Sequence, residues 1–178
     1  MKADSLSQFT QALKHCASCG SQCTATLPRT ELTRLVEEVA SELVPTQWGE
    51  ATLSFEYPPE TLLLILTYSY ACGVFGSEAI AEELEDRAER CALVKQLAMD
   101  ASTLAEFRRE NHALLRRCLA AVLKRSNLVP GCGVRSGANA ALEAAAPASA
   151  VRRSLDAEQE AERRIALAAQ TDSEERDL

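Results

Sequence analysis

The stretch that decides the fold is FEYPPETLLLILTYSYACGVFGSEAIAEEL, residues 55–84. Its Pro-Pro pair stands where a helix can begin without losing a backbone donor that it needs, and Glu60 is favourable at the positive end of the helix dipole. The segment TLLLILTYSYAC that follows is apolar on nearly every side and leads to Gly73. Because a helix that is apolar all round is usually buried, we expect this segment to be the central helix of the protein.

A short turn separates this helix from a second one. Gly73 and Gly76 bracket the turn, and Ser77 is a good cap for the segment EAIAEELEDRAE. Two helices joined by a four-residue, Gly-flanked turn resemble a helix-turn-helix. The buried face of the second helix is expected to contain Ile80, Ala81, Leu84 and Ala88.

Another helix is predicted before this pair. Between residues 31 and 44 apolar side chains recur at helical spacing, and Thr30 can cap the first turn. Pro45 follows the last apolar residue, which predicts that the helix ends there.

The longest predicted helix follows the pair. After a weaker helix at residues 91–99, Asp100 or Ser102 caps a helix that reaches about Lys124. The fold class predicted for the chain is therefore all-α, a compact multi-helix bundle over residues 30–125 that contains the helix-turn-helix-like pair. The residues of the long helix that we expect in the core are Leu104, Phe107, Leu114, Leu115, Cys118, Val122 and Leu123.

Both ends of the chain differ in composition from this bundle. Residues 1–29 are mostly small and polar and predict a flexible N-terminal segment. Residues 126–178 begin with a linker rich in Gly, Ala, Ser and Pro, which cannot bury enough apolar area to become ordered. A helix at residues 154–170 would be marginal on its own, because its large apolar residues are limited to Leu155, Ile165 and Leu167.

Charge and cysteine usage limit the classes of function. A formal net charge of -7 argues against a protein that coats nucleic acid indiscriminately. The 7 cysteines are an odd number and are scattered along the chain, which favours a reducing, cytoplasmic location. The N-terminus lacks a signal-peptide core, and the longest apolar run is too short to span a bilayer, so we expect no membrane partner.

Positive charge is concentrated in the long helix. Between residues 108 and 125 six Arg and Lys side chains stand against Glu110 alone, a local balance of six minus one. Arg108, His112 and Arg116 are spaced by four residues and predict one cationic stripe that could lie along phosphates. The candidate DNA-binding residues are Arg108, Arg109, His112, Arg116, Arg117, Lys124 and Arg125.

The basic side chains have a second interpretation. They could solvate the helix and pair with acidic residues of the preceding helix, in which case the protein would be a helical interaction or dimerisation module that binds no nucleic acid. The acidic residues that could serve as partners are Glu82, Glu83, Glu85 and Asp86.

The sequence offers little material for metal binding or catalysis. Cys16, Cys19 and Cys23, next to His15, have half of the spacing that a zinc site needs, and unligated thiols are the simpler interpretation. We find no Gly-rich phosphate loop and no nucleophile elbow, and the acidic cluster of the second helix falls on its solvent side. No cofactor, metal site or catalytic residue is predicted.

The combined pattern resembles the N-terminal domain of InsH-type bacterial insertion-sequence transposases, which belong to the DDE superfamily. The resemblance covers about 70 residues, from 55 to 124. In the first part it lies in the Tyr-Pro-Pro start at Tyr57, in Tyr70 with Gly73, and in Ser77 with Ile80. In the second part the matching residues, within DASTLAEFRRENHALLRR, are Asp100, Ser102, Thr103, Phe107 and Arg108.

This resemblance implies a DNA-binding domain of a mobile element, with DNA at insertion-element ends as a partner. Homo-oligomers, or mixed oligomers with an intact transposase, are further expected partners. In the family, catalysis belongs to the domain that follows, whose acidic triad holds metal. Matching residues 138–140 to the family's Ala-Asn-Ala segment places Cys132 where the first catalytic Asp should stand, and a thiol does not ligate Mg²⁺ as a carboxylate does. The other carboxylates would lie past Leu178, so we expect a truncated, non-enzymatic protein without strand-transfer activity.

Overall fold

The computed structural model describes residues 29–44, 48, 55–90, 99–126 and 147–176. Within these ranges all regular structure is helical and the helices form a compact bundle, which confirms the all-α prediction. The helices, numbered in chain order, are α1 (Arg29–Leu43), α2 (Pro59–Cys72), α3 (Ser77–Arg90), α4 (Ala101–Glu110), α5 (His112–Ser126) and α6 (Pro147–Arg176).

Helix α2 is the central helix, as the sequence predicts. Every side chain from residue 61 to residue 72 is buried, on all sides of the helix. Gly73 ends the helix with φ 88°, in the left-handed region, and its N–H donates to the Tyr70 carbonyl at 3.2 Å. Val74 N–H donates to the Ser69 carbonyl at 2.9 Å, which completes a Schellman motif. Gly is favoured at this position because a Cβ strains the left-handed backbone.

The single long helix predicted from Asp100 to about Lys124 is wrong, because the structure has two helices with a break at Asn111. Asp100 caps α4, and its carboxylate accepts the Thr103 N–H at 2.7 Å. At the break Asn111 has φ -112° and ψ 24°, and its backbone and side-chain amides both donate to the Phe107 carbonyl, at 2.9 and 3.2 Å. An Asn side chain that competes for a backbone acceptor in this way favours a helix end.

Helix α6 is a full member of the bundle, although the sequence predicts a marginal helix beyond a boundary at residue 125. It packs chiefly along α5 and also contacts α3. Small side chains bury little area, but they let two helix axes approach closely, so a helix poor in large apolar residues can still pack well. The apolar residues that α6 buries are Ala157, Ala161, Ile165 and Ala168.

Two buried polar contacts fix α6 across the turn between α2 and α3. Arg164 donates to the carbonyls of Tyr70 and Ala71, at 2.8 and 3.2 Å, and so places a cation at the negative end of α2. Asp172 accepts the N–H and the hydroxyl of Ser77, both at 2.7 Å, and so places an anion at the positive end of α3. The cap of α3 therefore comes from α6, and not from Ser77 as the sequence predicts.

Asp172 also forms a buried ion pair with Arg108 of α4. The side chains are 4% and 5% exposed, and Arg108 donates further to the Tyr70 hydroxyl at 3.0 Å and to Ser77 Oγ at 3.4 Å. Tyr70, Ser77, Arg108 and Asp172, which we call the buried polar cluster, thus join α2, α3, α4 and α6.

We predict that D172A destabilises the protein by about 3–5 kcal/mol, because it leaves the Arg108 guanidinium buried without its carboxylate. Urea unfolding of the full chain measures the change in the free energy of unfolding. The control is E174A, which removes an exposed carboxylate from the same helix and should change stability by less than about 0.5 kcal/mol. The double variant R108M/D172L should recover much of the loss, and equal stability of D172A and E174A would contradict the prediction.

A second prediction concerns the end of α2. G73A should cost about 1–2 kcal/mol, because Ala must adopt the left-handed backbone that Gly73 has. G73N is the matched variant, since Asn tolerates this conformation better and should cost less. Thermal unfolding would rank the three proteins, and a G73A protein as stable as the wild type would contradict the assignment of this cap.

Candidate nucleic-acid interface

The first residue of the predicted cationic stripe does not lie on the surface. Arg108 is 3% exposed and belongs to the buried polar cluster, so in this fold its side chain is used inside the bundle and is not available on the surface for a phosphate. The spacing of the sequence contains the signal: Arg108 follows Leu104 by four residues and precedes Leu115 by seven, which are core positions of a helical pattern. Its partner Asp172 is 64 residues away, and no local pattern points to it.

Arg125, at the other end of the stripe, is paired with α1. Its guanidinium donates to both carboxylate oxygens of Glu42, at 3.2 and 2.5 Å, and lies 3.6 Å from Glu38. The hydrogen bond from Arg125 lowers the pKa of Glu42. Arg125 is therefore at the surface but already has carboxylate partners.

His112 and Arg116 lie side by side, as their spacing predicts, and they share one carboxylate. Glu162 of α6 lies 3.4 Å from His112 Nε2 and 3.8 Å from Arg116 Nε. All three side chains are between 44% and 49% exposed, so this is a solvated surface contact. Such contacts contribute little to stability, and a competing anion can displace them.

Arg109 lies apart from the other cations, on α4. It lines a concave site of about 300 Å³ in which the acidic side chains Glu78, Asp172 and Glu175 also take part. Burial raises the pKa of Glu175, and the negative charges of Glu78, Asp172 and Glu82 raise it further. A site with this negative charge disfavours phosphate, and Arg109 lies outside the surface on which Arg116, Arg117 and Lys124 converge.

The remaining cations surround one cleft. Arg116, Arg117 and Lys124 of α5 line a depression of about 270 Å³ that also contains Glu158 of α6. Arg117 and Lys124 are exposed, and Lys124 Nζ donates to Ser154 Oγ at 3.4 Å. The floor and walls are completed by Leu43, Ala120, Ala121 and Ser154. We call this depression the cationic cleft.

The helix pair α2–α3 is a poor candidate for a DNA reader, although its axes are bent by 104° as in a helix-turn-helix. Helix α2 is buried on all sides, and α3 carries Glu78, Glu82, Glu83 and Glu85 on its described surface. The acids found opposite Arg125, Arg116 and His112 come from α1 and α6. The alternative interpretation of the sequence predicts these partners on α3, in Glu82, Glu83, Glu85 and Asp86.

Several predicted features lie outside the described residues. They are the half zinc site at residues 15–23, all of the predicted helix at residues 91–99 except Met99, and residues 132–140 with Cys132. Among the described residues Cys72 and Cys118 are buried and belong to no disulfide, and burial raises the pKa of Cys118 to about 12. In the same part of the chain no group of three or more His, Cys, Asp or Glu side chains is arranged to hold a metal ion.

Comparison with known proteins leaves the family open. No protein-family model matches the chain, and no curated protein or solved structure is significantly similar to it. In the part of the chain that the structure describes, no single helix is long and apolar enough to cross a bilayer.

Proposed function

We propose that this protein is a transposase-like DNA-binding module of a mobile element, and that it holds the phosphate backbone of DNA in the cationic cleft. The observation that carries the proposal is the convergence of Arg116, Arg117 and Lys124 on one concave surface of α5. The resemblance of residues 55–124 to the N-terminal domain of InsH-type transposases supports it and suggests insertion-element ends as the DNA. The proposed activity is binding, without strand transfer.

The dimensions of the cleft suit a nucleic-acid backbone. Arg116 and Lys124 are eight residues apart on one helix, which is about 12 Å along its axis. Duplex DNA carries one charge per roughly 1.7 Å of its length, so a 12-Å row of cations faces several phosphates at once. Arg offers a planar fork to phosphate oxygens, and Lys adds a compact charge.

Because the net charge is -7, the proposal confines DNA binding to the cationic cleft. An acidic protein repels DNA over most of its surface, so binding requires that the local field of the cleft exceeds the field of the whole molecule. We therefore expect modest affinity and a strong preference for low salt.

The proposal predicts a measurable salt dependence. If the three cations of the cleft neutralise about three phosphates, affinity for duplex DNA should fall by about 40-fold between 50 and 200 mM salt. Fluorescence anisotropy with a labelled random duplex, and with a duplex that carries insertion-element ends, would measure it. R117A should weaken binding and R117A/K124A should weaken it further, each lost cation lowering the salt slope by about 1.

The matched control is R34A, which removes an exposed arginine of α1 that does not line the cleft. Binding by R34A should stay within about twofold of wild type. Affinity that is indifferent to salt, or equal losses in R34A and R117A, would refute the cleft as the DNA site.

A second candidate function is a helical interaction module that binds no nucleic acid. It is favoured by the acids opposite the predicted cations, since Glu162 meets His112 and Arg116, and Glu42 meets Arg125. An exposed surface of mixed charge is complementary to another protein surface, including a second copy of the chain. Sedimentation equilibrium that shows a salt-sensitive dimer, together with no DNA binding at 50 mM salt, would select this function.

A further inference from the structure

The acidic and polar residues of α6 that face α5 form a stripe. Ser154, Glu158 and Glu162 are spaced by four residues, and so they lie along one side of the helix. Ser154 accepts a hydrogen bond from Lys124, Glu158 lines the cationic cleft, and Glu162 lies beside Arg116 and His112. We call Glu158 and Glu162 the acidic pair of α6.

The stripe runs antiparallel to the cations. Ser154 near the start of α6 meets Lys124 near the end of α5, whereas Glu162, two turns later, meets residues near the start of α5. Glu158 therefore lines the cleft itself, and Glu162 lies 3.8 Å from Arg116, one of the cations of the cleft. A phosphate that enters the cleft meets the cations of α5 together with the negative charge of this pair.

Helix α6 cannot leave the cleft without large loss of packing. Ala157 and Ala161, between the residues of the stripe, and Ile165 after them are buried, and Arg164 and Asp172 bind the end of α2 and the start of α3. The carboxylates of Glu158 and Glu162 are exposed, so they can turn away while the helix stays in place. Competition between phosphate and carboxylate thus takes place at the level of side chains.

We propose that the acidic pair of α6 is an internal competitor: its carboxylates compete with DNA phosphates for the cations of the cationic cleft. The pair thereby lowers the affinity of the cleft for DNA. The inference rests on the proposed DNA-binding function and deepens it, since it concerns the regulation of the same cleft. Glu162 lies against His112 and Arg116 in the free protein, Glu158 adds its negative charge to the lining of the cleft, and both carboxylates repel phosphate in the complex. Neutralising the pair should therefore strengthen binding and steepen its salt dependence.

The test compares two double variants of the full chain with the same change in net charge. E158Q/E162Q neutralises the acidic pair, whereas E31Q/E174Q neutralises two exposed glutamates, on α1 and near the end of α6, that do not line the cleft. Anisotropy with the labelled random duplex at 100 mM salt should show about tenfold tighter binding for E158Q/E162Q and less than about twofold change for E31Q/E174Q. Circular dichroism and thermal unfolding would show that both variants keep the fold.

The outcomes separate this inference from the proposed function. If the wild type binds DNA and the two double variants bind it with equal affinity, the role of the acidic pair as a competitor is overturned. The DNA-binding function is then left intact. DNA binding by E158Q/E162Q where wild type and E31Q/E174Q bind none supports the competitor strongly. An absence of binding in all proteins at 50 mM salt overturns both.

Discussion

The structure depends above all on the buried ion pair between Arg108 and Asp172. A charge that is removed from water is tolerated only when a partner and hydrogen bonds compensate for it, and the buried polar cluster supplies both. The pair joins residues 64 positions apart, and Ser77 extends the connection to the start of α3. The positions of α2, α3 and α4 are therefore specified relative to α6, a helix whose apolar residues are mostly alanine.

Internal pairing of basic side chains explains why the protein shows less positive surface than its sequence suggests. Arg108 is used inside the bundle, Arg164 is used at the end of α2, and Arg125 is held by glutamates of α1. What remains concentrated at the surface is the cationic cleft, with the acidic pair of α6 beside it. The balance of attraction and repulsion at this one cleft thus decides how strongly an acidic protein can hold a polyanion.

Local signals explain which parts of the fold could be predicted. Helix α2 has a proline start, an apolar run and a glycine end, and each signal lies within the helix or next to it. The break at Asn111 left the apolar spacing of the segment unchanged, and so periodicity alone gave one long helix. The place of α6 depends on contacts with α2, α3 and α4, which composition cannot reveal. Its alanines contribute by letting neighbouring helices approach closely, and Asp172 contributes through Arg108, a partner 64 residues away in the sequence.

The candidate site, too, was predictable only where signals within one helix determine it. The surface positions of Arg117 and Lys124 follow from helical spacing, and the structure agrees with them. The helical spacing of Arg108 indicates an inward position, but its positive charge favours a surface position, and the structure places it inside. The carboxylates of Glu158 and Glu162 beside the cleft follow only from the packing of α6 on α5, which no single helix encodes.

The thiol of Cys118 can report on conformations in which α5 separates from the helices around it. Its thiol is fully buried and its pKa is about 12, so at neutral pH the reactive thiolate is almost absent in the native state. An alkylating reagent can reach this sulfur only in conformations where the helix has parted from its neighbours. The native protein would be exposed to the reagent and then digested, and the labelled fraction of the peptide that contains Cys118 would be followed over time. This labelling rate measures how often the open conformation forms, as hydrogen exchange does for backbone amides.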